Sequence, residues 1–182
     1  MRADAQRNRN KILAVTEQLL TKNDVKTITM AQIAQAAHIG IGTIYRKFPT
    51  KGDLLLALAY DQLDGFLDEH KDLLQKTNIT RKDVEQTITD YLSFREQRMK
   101  LSTGSFESAL KYYQRENYQR LYKLFCHLIS NQNPQIDDQT VSFRADMLIA
   151  MLRSDSYHLQ RCERGLTIQE LVVQIMKLFF NN

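Results

Sequence analysis

The stretch from Thr29 to Phe48 leaves the chain little choice of local structure. Met30, Ile33, Ala34 and Ala37 recur at helical spacing. Thr29 stands just ahead of them as an N-cap, its hydroxyl placed to accept from the open N–H groups of a first turn. His38 falls where the chain must leave that helix, and His is among the few non-glycine residues that tolerate positive φ. Ile39 is an apolar plug in the turn and Gly40 an acceptable cap for a second helix. Ile44 and Phe48, four apart, give that short helix its buried stripe. Gly40, Ile41, Gly42, Thr43, Tyr45, Arg46 and Lys47 are left on or near its other side. Two short helices braced in this way, one presenting small, hydroxylated, aromatic and basic side chains, make a helix-turn-helix with its recognition helix.

Charge agrees with that reading. Residues 1–60 carry nine Lys/Arg against four Asp/Glu, net +5, whereas residues 61–182 are net −1. A basic first third on a near-neutral remainder is the electrostatic footprint of a nucleic-acid-binding head. Gly and Pro are scarce, at six and two, and no alternating β-branched run appears, so an all-α chain is expected. No run of about 18 apolar residues is present to span a membrane. The N-terminus lacks the apolar core of a secretory signal, and two distant cysteines fit a reducing cytoplasm.

The segment Ile28–Leu56, with Gly42-Thr43-Ile44-Tyr45-Arg46-Lys47-Phe48 followed by Lys51-Gly52-Asp53-Leu54-Leu55, resembles the N-terminal domain of the TetR family of transcriptional regulators. His38 stands where that family commonly has glycine, Gly40 where it has serine, Ala31 where it has a basic residue, and Ile41 where it has Lys, Arg or Pro. Ala31 and Ile41 can touch bases only by apolar contact, for example with a thymine methyl. The resemblance implies a helix-turn-helix head at 1–58 and a helical regulatory and dimerisation body at 59–182, about nine helices in all. It also implies a homodimer on a palindromic operator, most often a repressor, released when a small-molecule effector shifts the fourth helix. A TetR-like coregulator that has lost operator binding is the alternative, fed by Ala31 and Ile41.

The candidate DNA-binding residues are Thr29, Gly40, Ile41, Gly42, Thr43, Tyr45, Arg46, Lys47 and Lys51. By resemblance, Thr43, Tyr45 and Lys51 match backbone-contacting positions. Lys51, at a helix start, offers a phosphate both its ammonium and open N–H groups. Gly42 allows close approach, and Arg46 is the base reader, bidentate to a guanine. Arg2, Arg7 and Arg9 form a basic lead-in, either a minor-groove arm or a solvated tail.

Further helices are expected at about 5–21, 51–75, 80–99, 102–113, 117–130, 137–162 and 167–180. Thr50 with Asp53, and Thr167 with Glu170, read as capping boxes. Leu171, Val172, Ile175, Met176 and Phe179 make the last helix unusually apolar and are the expected dimer face. An effector pocket draws on Phe94, Arg98, Met99, Phe106, Tyr112, Tyr113, Tyr122, Phe125, Met147 and Met151, since Met and aromatic side chains pack adaptably around apolar ligands. His158 and Cys162 share a helical face, and Cys126-His127 is a second pair, but no further ligand stands at a metal-binding spacing. Neither a metal nor a cofactor is expected. No nucleophile elbow, phosphate-binding glycine loop or carboxylate–histidine cluster points to catalysis.

Overall fold

A computed structural model describes residues 2–99, 114–153 and 155–181. All regular structure among these residues is helical. Four helices lead: α1 (Arg2–Leu20), α2 (Met30–Ala37), α3 (Ile41–Lys47) and α4 (Lys51–Glu69). Then come α5 (Arg81–Met99), α6 (Glu116–Gln132), α7 (Asp138–Arg153), the single turn α8 (Asp155–His158) and α9 (Ile168–Phe179). The chain divides into two compact units, whose boundaries among the described residues fall inside α4 between Gln62 and Leu63 and inside α5 between Glu96 and Gln97.

The first unit is built on a small core. Ile12 and Leu13 of α1, Met30, Ile33 and Ala34 of α2, Ile44 of α3, and Leu54 and Leu58 of α4 pack together, closed by Ile28 and Phe48. Arg9 reaches Asp61 at 3.1 Å and Gln62 donates to Glu17 at 2.8 Å, fastening α1 to α4. The basic lead-in is thus helical from Arg2, with Arg9 already engaged.

The turn between α2 and α3 shows why this sequence bends there. His38 is left-handed (φ 51°, ψ 46°), the one non-glycine residue at positive φ among those described. The Ile39 N–H donates to Ala34 O at 3.0 Å and the His38 N–H to Gln35 O at 3.1 Å, a Schellman closure. A β-branched residue has no comfortable place at such a φ. His38→Val should therefore cost about 1–2 kcal/mol of head stability, read by urea unfolding.

The second unit has its own core. Phe66 of α4 packs on Tyr91 and Phe94 of α5, with ring centroids 5.4 and 6.1 Å away, and Tyr91 meets Phe125 of α6 edge-on at 5.4 Å. α6 and α7 form a helical hairpin across the turn at 133–137. Thr80 caps α5 with Asp83, and the Thr80 and Lys76 contacts hold the Asp83 carboxyl down to about 2. Both expected capping boxes are present: Asp53 N–H donates to the Thr50 hydroxyl at 3.0 Å, and Glu170 N–H to that of Thr167 at 3.2 Å.

One expected helix ends early, and another changes its winding near its end. α4 stops at Glu69, short of Gln75, because the His70 ring bonds Phe66 O at 2.9 Å and Asp90 at 3.2 Å. The chain then tightens into a 3₁₀ turn at Lys71–Gln75. The helix expected over 137–162 is found as α-helix at Asp138–Arg153 and Asp155–His158, and its far end is a π turn at Leu159–Glu163. There Arg164 N–H reaches five residues back to Leu159 O at 2.9 Å, before Gly165 (φ 69°) turns the chain. The helix expected over 102–113 lies outside the described residues.

Candidate functional site

α2 holds α3 in place through a cap that its sequence half reveals. The Gln32 N–H donates to the Thr29 hydroxyl at 3.2 Å, and the Thr29 N–H donates to Gln32 Oε1 at 2.8 Å. The Thr29 hydroxyl also donates to Gln32 Oε1 at 3.0 Å, so Thr29 is occupied locally.

On α3, Ile44 alone is buried. At 100° per residue the face opposite it is centred on Gly42 and Arg46, flanked by Ile41 and Tyr45 on one side and Thr43 and Lys47 on the other. Tyr45 is 49% exposed and Ile41 44%. Among the described residues, the side chains of Tyr45, Arg46 and Lys47 have no hydrogen bond or ion pair to the rest of the chain. A Cβ added at Gly40 or Gly42 would meet nothing within 4 Å. Intrachain packing therefore does not require glycine at 42. Gly42→Ala should raise helix stability by about 0.5–1 kcal/mol while weakening DNA binding. Thermal unfolding and a binding titration on the same sample check the opposite signs.

Beside this face, between α1 and α3, lies a cleft of about 170 Å³ lined by Asn8, Ile12, Thr43, Arg46 and Lys47. An amide, a hydroxyl and two cations suit a backbone phosphate. Asn8 was not anticipated; its place on α1, one turn before the buried Ile12, was the available signal.

Lys51 needs a corrected role. Its ammonium is turned inward and donates to the carbonyls of Val25 and Ile28. It ties the segment before α2 to the start of α4, so it is a positioning residue rather than a free cation. Lys51→Met should leave two carbonyls short of a donor and cost about 1–3 kcal/mol of head stability, measured by urea unfolding.

In the second unit the expected pocket residues divide. Phe94 and Phe125 are buried, Tyr122 and Met151 half-buried, and Met147 is exposed. Arg98 and Met99 lie on the last turn of α5, while Phe106, Tyr112 and Tyr113 lie outside the described residues. Burial pushes the Cys126 thiol up, which makes it a poor thiolate, and Cys162 is exposed in the π turn. Arg144 donates to Phe179 O and Asn181 O, both at 3.3 Å, capping the end of α9. Leu171, Val172, Ile175 and Met176 are buried within their own chain and Phe179 is half-buried. The apolar side chains exposed on these helices are Phe143 and Met147 of α7 and Val173 and Leu178 of α9.

Residues 12–58, the whole of this helix-turn-helix and its bracing, match the family of bacterial regulatory proteins named for TetR. The head of the chain, over those residues, is a TetR-type helix-turn-helix domain. An HTH-type transcriptional regulator of Staphylococcus aureus (strain USA300) is 28% identical over 184 aligned positions, covering 100% of this chain and 97% of the relative. The counterpart in strain MRSA252 matches equally, at 28%. The fold is shared with the fatty acid degradation regulator FadR from Bacillus halodurans (TM-score 0.62, 15% identity, 96% and 95% of the two chains). It is shared too with NalD, the secondary repressor of the MexAB-OprM multidrug efflux pump in Pseudomonas aeruginosa (TM-score 0.51, 16% identity, 98% and 96%). The chain carries the helix-turn-helix head of bacterial regulatory proteins and is similar over its full length to transcriptional regulators. No helix among its described residues is long and apolar enough to cross a membrane.

Proposed function

We propose that this chain is a cytoplasmic homodimeric repressor of the TetR family that binds a palindromic operator and is released by a small molecule. The observation that carries the reading is the outward face of α3. Gly42 stands there with Tyr45, Arg46 and Lys47, whose side chains have no intrachain hydrogen bond or ion pair among the described residues, on a helix fixed by Ile44 and by the capped α2. Arg46 reads a base edge, while Tyr45, Thr43, Lys47 and Asn8 hold phosphates. Gly40 and Ile41 bring the start of α3 against the groove, and Thr29 and Lys51 set its pose.

One recognition helix reads too few base pairs for a unique site, so two heads are needed. The proposed dimer face is formed by α7 and α9 through Phe143, Met147, Val173 and Leu178, with the buried apolar residues of α9 supporting it from behind. α4 is continuous from the head across the division at Gln62. A ligand that favours one setting of α4 changes the separation of the two heads and the operator no longer fits.

DNase footprinting of the full chain on the DNA upstream of its own gene tests this. Two protected half-sites related by a two-fold axis, with centres about 34 Å or a multiple apart, are expected. A single half-site, or no protection on any upstream duplex, would sink the repressor reading.

A further inference from the structure

The buried stripe of α5 ends on a charge. Val84, Ile88 and Tyr91 fall on one face, all buried, and Arg95 takes the next position on it, four residues after Tyr91. An apolar side chain there would continue the core. Instead a half-buried guanidinium occupies it, its Nε buried and without a hydrogen-bond partner. Its contact is a stack on the buried Tyr157 ring, 5.9 Å from the guanidinium carbon to the ring centroid.

The carboxylate next in sequence is engaged elsewhere. Glu96 accepts from the Tyr157 hydroxyl at 2.9 Å and from Arg161 Nε at 2.6 Å. Two guanidiniums and one carboxylate thus surround Tyr157, and among the described residues no carboxylate pairs with Arg95. An unsatisfied N–H away from water costs free energy that folds seldom leave standing, and the half-buried guanidinium beside it carries a charge that no described carboxylate balances.

We propose that Arg95 anchors the effector, binding the carboxylate of an organic acid whose apolar part packs beside Tyr157 and the aromatic face of α5. The inference rests on the proposed release by a small molecule and names the ligand class. A guanidinium presents Nε–H and Nη–H side by side, spaced for the two oxygens of a carboxylate. A neutral ligand leaves that fork unpaired. A phosphate dianion carries more charge than one free guanidinium balances.

Thermal unfolding of the full chain tests the site without DNA. The probes are decanoate and phenylbutyrate, their alcohols decanol and phenylbutanol, and decyl phosphate. At least one acid should raise the midpoint by about 5 °C at a hundredfold excess over its Kd, and its alcohol should do far less. Arg95→Met should fold without ligand at an equal or higher midpoint and lose the acid response. Arg95→Lys, with the charge but not the fork, should keep only a minor part of it. Equal shifts from acid and alcohol, a larger shift from decyl phosphate, no shift from either acid, or an undiminished shift in Arg95→Met each overturns the proposal. Operator release is measured separately. An acid that binds through Arg95 yet leaves DNA bound keeps the site and removes the release mechanism; release by a neutral compound does the reverse.

Discussion

A Phe143→Asp chain should stay folded, sediment as a monomer, and bind its operator about 10²–10⁴-fold more weakly, the avidity lost when two linked heads become one. Phe143 is 63% exposed on the single chain, with Met147 one turn on, and Leu178 of α9 is 64% exposed. Large apolar side chains left in water together mark a surface that something covers. A charge at 143 remains solvated in the monomer and is stranded only when a partner arrives, so assembly is hit and folding is spared. Ile175→Asp is the contrasting change. Ile175 is 1% exposed inside its own chain, so a carboxylate there should cost several kcal/mol of folding stability and unfold the second unit. Analytical ultracentrifugation with circular dichroism separates the outcomes: a folded dimeric Phe143→Asp chain would move the interface off α7.

Arg46→Ala should lower affinity by about 1–3 kcal/mol per half-site, hence about 2–6 kcal/mol for a dimer on both half-sites. The loss should fall on discrimination at one base pair per half-site, because Arg46 is at the centre of the outward face of α3. Tyr45→Phe, which removes a phosphate donor, should weaken all sequences alike. Competition titrations with single-base operator variants distinguish the two. Uniform weakening by Arg46→Ala would place this residue on a phosphate, in the cleft it shares with Asn8 and Thr43.

The head was legible because its signals are local. The Thr29 cap, the left-handed His38 and the Ile44 stripe each depend on neighbours a few residues away, and each appears in the structure as read. What escaped depends on distant partners. The inward turn of Lys51 needs the carbonyls of Val25 and Ile28, which sequence spacing does not bring near. α4 ends where His70 finds Asp90, twenty residues on. The apolar density of α9 was visible, but which part faces its own core was not. Helical phase sends Leu171, Val172, Ile175 and Met176 inward and leaves Val173 and Leu178 out. Phe143 carried a readable signal, since it lies off the stripe formed by Val141, Ala145, Leu148 and Leu152. Arg95 carried one too, standing at a core position of its own helix.

The most direct measurement is the affinity of the full chain for its footprinted operator and for a scrambled duplex of the same length, across a salt series. If α3 reads sequence, the operator should bind about 10³-fold or more tightly than the scrambled duplex. Affinity for both should fall as salt rises, by the release of counterions from phosphates. Equal affinity for the two duplexes at every salt concentration, or no binding to either, would contradict the assignment of α3 as a recognition helix.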